Sequence, residues 1–285
     1  MKHSRRFLVL IALVVSSLAG LSPSAAQDEP DCSPNQGTVI THQIDSAALG
    51  RGKAYRLYLP PDWCSHEDLP LLIMLHGLGG DHTDWTSAGK LDETADALIL
   101  AREIEPLIIL MPDGEKSFFI SGPQGDFETY IVEELPSAVE AEFPVATARE
   151  RRFIGGLSMG GYGALYLGLK YPDHFSAIGA HSPALFPQGA QGAPIGVYGA
   201  DWGRFDERAP QAIIRRDGWP ADMRLFVDIG FGDGFLIPGV YDLFGALLEQ
   251  QNPIAEFQGH VWPGAHNWAY WTAHAADYLR FYAGA

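Results

Sequence analysis

Ser158 stands in the run Gly156-Leu157-Ser158-Met159-Gly160. This is the G-x-S-x-G spacing that raises a serine on a tight turn between a strand and a helix. A serine hydroxyl is a weak nucleophile by itself; it needs a base, and an acid to orient that base. The chain offers both downstream, in the order Ser, Asp, His. His266 lies in "VWPGAHNWAYW", among turn residues just before a helical pattern. Asp233 lies in "LFVDIGFGDGF", in a Gly-rich loop beyond a strand pattern. Asp228 falls inside that strand and Asp242 on the following helix, so placement favours Asp233 as the acid. The remaining downstream histidines, His174, His181, His260 and His274, sit in helices or strands and read as packing residues. Two backbone donors would complete the set: Met159, directly after the serine, and Leu78, in the loop "LHGLGG" after an early apolar strand. The chemistry of such a group is acyl transfer through an acyl-enzyme. The bland alternative is a Gly-rich turn that binds phosphate. It lacks a lysine after the glycines and a G-x-G-x-x-G in the dinucleotide register.

These residues need a frame that brings strand ends together. "LPLLIMLHG", "PLIILMPDG", "RRFIGGLS", "FSAIGAHSP", "DMRLFVDIG" and "IAEFQGHVWPG" are strand patterns, most of them near-continuous apolar runs as expected for strands buried on both faces. "KLDETADALILAREI", "FETYIVEELPSAVEAEF" (interrupted at Pro136), "GGYGALYLGLKYP", "GVYDLFGALLEQ" and "NWAYWTAHAADYLRFYA" carry helical spacing. "TVITHQIDS" and "KAYRLYLP" alternate apolar and polar residues and predict an antiparallel pair at a sheet edge. Strands alternating with helices predict an α/β fold with a mostly parallel sheet covered on both faces, in which ligands meet the carboxyl ends of the strands. Residues 183–222, rich in Gly, Pro and aromatics, break the rhythm and are expected to form a lid or cap with one short helix near 209–216.

The bulk properties narrow the function classes. The chain has 285 residues and a formal net charge of −16, which argues against nucleic-acid binding. Residues 1–26 read as an export signal: Lys2, Arg5 and Arg6, an apolar run, then Ser24 and Ala26 at the positions a signal peptidase reads. Its apolar run is short for a membrane span, so cleavage and a periplasmic or secreted product are expected, without a stable membrane anchor. Arg5-Arg6 before Phe7-Leu8 hints at a twin-arginine signal but lacks the usual intervening residue, which favours the general export route. Residues 27–37 read as a flexible tail and 38–285 as the folded domain. Cys32 and Cys64 fall in the exported part and are expected to pair in an oxidising compartment. No zinc motif is present, and neither a metal nor another cofactor is expected.

Taken together, "YRLYLPPDW", "LLIMLHGLGG", "LIILMPDGEKSFF", "FETYIVEELPSAVE", "GLSMGGYGALYLGLKYPDHF", "DIGFGD" and "PGAHNWAYW" resemble the esterase D-like branch of α/β-hydrolases. That branch includes S-formylglutathione hydrolases, feruloyl and acetyl esterases, and mycolyltransferases. The resemblance spans most of residues 53–272 and implies Ser158 as nucleophile, Asp233 as acid, His266 as base, and Leu78 and Met159 as oxyanion donors. The chain departs from many relatives at Phe119, where a tyrosine is expected. Trp202, Phe205, Trp262, Trp268 and Trp271 are candidates to line an apolar or sugar-facing pocket. The expected activity is hydrolysis of small-molecule or carbohydrate esters. An acyltransferase with the same three residues, or a silent carbohydrate-binding protein on the same fold, are the alternatives.

Overall fold

The computed structural model describes residues 30–250 and 254–284; the export segment read at 1–26 and the start of the tail lie outside the described residues. Eight strands make one sheet in the order β1-β2-β4-β3-β5-β6-β7-β8. β1 (Thr38–Ser46) and β2 (Arg51–Leu59) form the antiparallel edge pair, and β2 runs antiparallel to β4 (Ile108–Pro112). β3 (Leu71–Leu75), β5 (Arg152–Leu157), β6 (Ala177–His181), β7 (Arg224–Gly230) and β8 (Glu256–Trp262) are parallel to β4 and to one another. The fold is that of the α/β-hydrolases.

The helices are α1 (Asp84–Ser87), α2 (Leu91–Leu100), α3 (Phe127–Thr129), α4 (Leu135–Glu142) and α5 (Met159–Lys170). They continue with α6 (Ile195–Tyr198), α7 (Phe205–Arg208), α8 (Pro210–Asp217), α9 (Ile237–Leu248) and α10 (Trp268–Ala283). The interruption expected at Pro136 takes the form of a π-helical stretch, Tyr130–Glu134, between α3 and α4. Proline has no N–H to donate to the preceding turn, and a wider turn accommodates that gap.

The two-residue period of the strands divides the core. Leu71, Ile73 and Leu75 of β3 face one layer with residues of α4, α5, α8 and α9. Leu72 and Met74 face the other, with α2 and α10. Burying both faces explains why β3 and β4 are apolar at every position. β4 and β5 flank β3 on opposite sides, so the strand order reverses there, and the crevice outside the strand ends is the expected ligand position. Residues 183–222 leave β6 and carry three helices, α6 to α8, before β7 begins. Only α8 coincides with the single helix expected there. α6 and α7 are four residues each, too short to leave a periodic pattern.

The described part of the tail is tied down. Cys32 is disulfide-bonded to Cys64, Asp62 N–H donates to Ser33 O, and Gly37 N–H donates to Asp96 Oδ1. No helix among the described residues is long and apolar enough to cross a membrane.

Candidate active site

β5 ends at Leu157 and α5 begins at Met159, which leaves Ser158 alone to turn the chain. It does so at φ 54° and ψ −114°, a conformation that costs a non-glycine residue energy. Its surroundings hold it there: Ser158 N–H donates to His181 O (2.9 Å), while its carbonyl accepts from Tyr162 and Ala184 N–H (3.0 and 2.9 Å). The flanking glycines explain the spacing. A Cβ on Gly160 would lie 2.3 Å from Leu75 O, and one on Gly156 would lie 2.6 Å from the Gly160 carbonyl carbon. Helix and strands pass too closely for any side chain at either position.

The loop after β8 presents His266 to this turn. Its Nε2 is 2.9 Å from Ser158 Oγ, and its Nδ1 is 2.5 Å from Asp233 Oδ2. An ionised carboxylate only accepts, so Nδ1 carries the proton and Nε2 is left to accept from the serine. Asp233 is nearly buried, with 4% of its side chain exposed, whereas His266 keeps 34%. The two loops are joined directly, since Phe231 N–H donates to Trp262 O and Gly232 N–H to Gly264 O. Asn267 then caps α10, its side chain accepting from Tyr270 N–H.

Leu78 walls the cleft beside Ser158, and Met159 follows Ser158 directly in the chain. Met159 is the first residue of α5, where the backbone N–H has no intrahelical acceptor. The loop carrying Leu78 crosses above the turn: a Cβ on Gly77 would lie 3.7 Å from Ser158 Cβ. His76, which the sequence did not single out, fixes that loop. Its ring is buried, Nδ1 donates to Gly77 O (2.8 Å), and Nε2 accepts from Gly114 N–H (2.9 Å). Behind it, Lys53 Nζ reaches Asp113 Oδ2 at 2.7 Å and Glu115 Oε1 at 3.0 Å. Burial by itself would push the Asp113 carboxyl up. The Lys53 ammonium and the Glu115 N–H, both bonded to it, outweigh burial and hold that carboxyl well below the usual range.

The cleft has a volume of about 330 Å³ and is walled by Leu78, Ser158, His266, Trp268 and Trp271, among others. Trp271 stands edge-on to His266 (4.9 Å between ring centres) and donates from Nε1 to Ser182 Oγ. Trp268 packs edge-on against Trp85 and Trp271. The other three aromatics differ from expectation. Trp202 stacks on Tyr198 and lies against Phe205 within the 183–222 segment, and lines no part of this cleft. Trp262 is sandwiched between His260 and His274. All three satisfy the need of a large ring for apolar neighbours, which outweighs any preference for the cleft. Phe119 is likewise fully buried, between His76 and α5, so the missing tyrosine hydroxyl faces packing and not the cleft. A second pocket of about 310 Å³, walled by Phe118, Ile120, Pro194 and Val197, includes none of Ser158, Asp233 and His266.

Comparison with known proteins agrees with this architecture. The family model "Putative esterase" matches residues 46–282. An acetyl esterase of Caldicellulosiruptor saccharolyticus is 28% identical over 229 residues, covering 74% of this chain and 82% of that one. An S-formylglutathione hydrolase of Paracoccus denitrificans is 27% identical over 270 residues, covering 86% and 92%. A solved ferulic acid esterase superposes with a TM-score of 0.75 at 25% identity, over 87% of this chain and 98% of its own. With residues 46–282 matched by that model and the sheet ordered as described, the chain belongs to the esterase D-like family of α/β-hydrolases and is a carboxylic ester hydrolase.

Proposed function

We propose that the chain is an exported serine carboxylesterase in which Ser158, His266 and Asp233 perform the reaction. The observation that carries this reading is the unbroken hydrogen-bonded run from Ser158 Oγ through both ring nitrogens of His266 to Asp233 Oδ2. His266 Nε2 takes the hydroxyl proton as Ser158 Oγ attacks the ester carbonyl. The Leu78 and Met159 N–H groups receive the oxyanion, and one such donor contributes on the order of 10²–10³ in rate. The tetrahedral intermediate collapses, the C–O bond to the alcohol breaks, and His266 returns the proton to the leaving oxygen. Water then attacks the acyl-enzyme, again giving its proton to Nε2, and the acid leaves as Ser158 is restored.

Trp268 and Trp271 serve as the apolar walls for the ester, and residues 183–222 act as a lid at the strand ends. The relatives' names, acetyl esterase and ferulic acid esterase, support a carboxylic ester of small or aromatic acyl type as substrate. Export is supported by the pattern of residues 1–26 and by the Cys32–Cys64 bond, which suits an oxidising compartment. The test is hydrolysis of short-chain p-nitrophenyl esters by the mature protein beside Ser158→Ala. Loss of activity in a folded variant supports the reading. Equal activity in both, or none in either, overturns it. The acyltransferase alternative predicts that added acceptor alcohols divert the acyl group, and it fails if only free acid forms.

A further inference from the structure

Directly beneath the catalytic turn lies a second His–Asp pair that the reaction does not use. Asp228, in β7, is fully buried. Its Oδ1 accepts from Nδ1 of His181, also fully buried, at 2.7 Å. Its Oδ2 accepts from the Tyr270 hydroxyl at 2.7 Å and the Tyr278 hydroxyl at 3.0 Å. Tyr282 OH approaches the other nitrogen of His181 at 3.4 Å, and Tyr278 stacks on the His181 ring at 3.6 Å. A carboxylate this deeply buried is costly unless its oxygens are satisfied, and here three donors from two elements satisfy it.

The partners of this carboxylate matter more than its burial. His181 is the residue whose carbonyl accepts the Ser158 N–H. Tyr270 lies in the first turn of α10; its own N–H is capped by Asn267, next in sequence to His266. Asp228 itself belongs to the strand whose end carries Asp233. The nucleophile's turn, the base's loop and the acid's strand therefore meet at one carboxylate. Burial, with the Asp228 charge beside it, pushes the Tyr270 hydroxyl up, so it stays a donor across the working range of pH.

We propose that Asp228 is a positioning residue for the whole catalytic group, and that Tyr270 is the link through which it sets the distance from His266 to Ser158. Tyr278 makes a comparable bond to the same oxygen but lies two turns further along α10, away from the His266 loop. It is the matched control.

Tyr270→Phe and Tyr278→Phe each keep the ring and delete one hydroxyl. Both variants are expected to melt earlier by similar amounts, so the difference between them isolates positioning from stability. For Tyr270→Phe, kcat per titrated site should fall about tenfold with KM changed less than about twofold, because misplacement of a catalytic group is felt in the reacting geometry. The hydrogen-bonded Nδ1 proton of His266, assigned in the NMR spectrum by its absence from His266→Ala, should shift or broaden. For Tyr278→Phe, both kcat and that resonance should match the wild-type protein. Equal changes in the two variants, or none in either, would overturn the proposal and leave Asp228 as a core anchor only. The rate measurements rest on the Ser158 reading; the resonance does not. An inert wild-type protein would therefore count against the esterase mechanism while the resonance still decides the positioning.

Discussion

His266 Nε2 lies 2.9 Å from Ser158 Oγ, although 108 positions separate the two residues in the chain. Nothing local draws them together. Ser158 follows β5, His266 follows β8, and β6 and β7 lie between these strands in the sheet. The distance is set by the parallel register of four strands and by the bonds that tie the 230–236 loop to the 262–266 loop.

Asp233→Asn should replace the charged acceptor at His266 Nδ1 by a neutral amide whose NH2 can donate there and impose the wrong ring tautomer, while leaving the shape of the loop. The ring then loses the partner that holds it with Nε2 free to take the serine proton. kcat should fall by about 10³–10⁴, with a much smaller change in KM, as expected when an orienting acid is lost from such a group. Steady-state rates normalised to titrated active sites provide the measurement. A loss below about tenfold would assign the orienting role elsewhere.

Gly160→Ala tests the close passage of α5 over β3. Its added methyl would meet the Leu75 and His76 carbonyl oxygens at 2.3 and 2.7 Å, and backbone there has no room to retreat. A loss of about 1–3 kcal/mol in denaturant unfolding is expected, with impaired turnover because the turn at Ser158 must shift. Gly122→Ala has nothing within 4 Å of the added carbon and should stay within about 0.5 kcal/mol of the parent.

Local pattern made much of this legible in the sequence. Apolar runs named the buried strands, helical spacing named α2, α5, α9 and α10, and G-x-S-x-G predicted the turn at Ser158, because each depends on neighbours in the chain. The direction of large side chains was not legible. Trp202 and Trp268 look alike in sequence, yet one stacks inside the 183–222 segment and the other walls the cleft. Asp228 reads in the sequence only as a less favoured candidate for the acid, inside its strand; its actual partners lie 42 to 50 positions away. His76 acts through a neighbouring carbonyl and an amide 38 positions distant, which no spacing rule encodes.

Cys64→Ser should show what the disulfide contributes. The bond closes a loop with a sequence separation of 32. The chain-entropy relation for a loop of that length gives about 3–4 kcal/mol. The variant should lose a comparable amount in equilibrium unfolding, and reduction of the parent protein should reproduce it. Activity of the folded variant should be retained, since Cys32 and Cys64 lie outside the cleft. A loss of turnover without loss of stability would contradict this division.

Lys53→Met should weaken the support behind the Leu78 loop, and its effect should depend on pH in a definite direction. Asp113 is held low in the folded protein, so its contribution is complete above the ordinary carboxyl pKa of about 4. It is lost as the pH falls through the lower folded value. Glu115, also lowered despite its partial burial, acts in the same sense, discounted for its exposure to solvent. Lys53 is nearly buried, so removing it leaves Asp113 without its ammonium partner and should cost about 2 kcal/mol at neutral pH. As the solution is acidified below about pH 4, the unfolded chain takes up a proton that Asp113 of the folded parent still refuses, so the parent loses stability and the deficit of the variant should shrink. Denaturant unfolding of both proteins at pH 7, 4 and 3 supplies the comparison. A deficit that held constant or grew on acidification would show that Lys53 stabilises the fold through its packed methylene chain and not through Asp113. The same variant should lower kcat more than it raises KM, because Gly114 N–H holds His76, and His76 holds the Gly77 carbonyl beside Leu78.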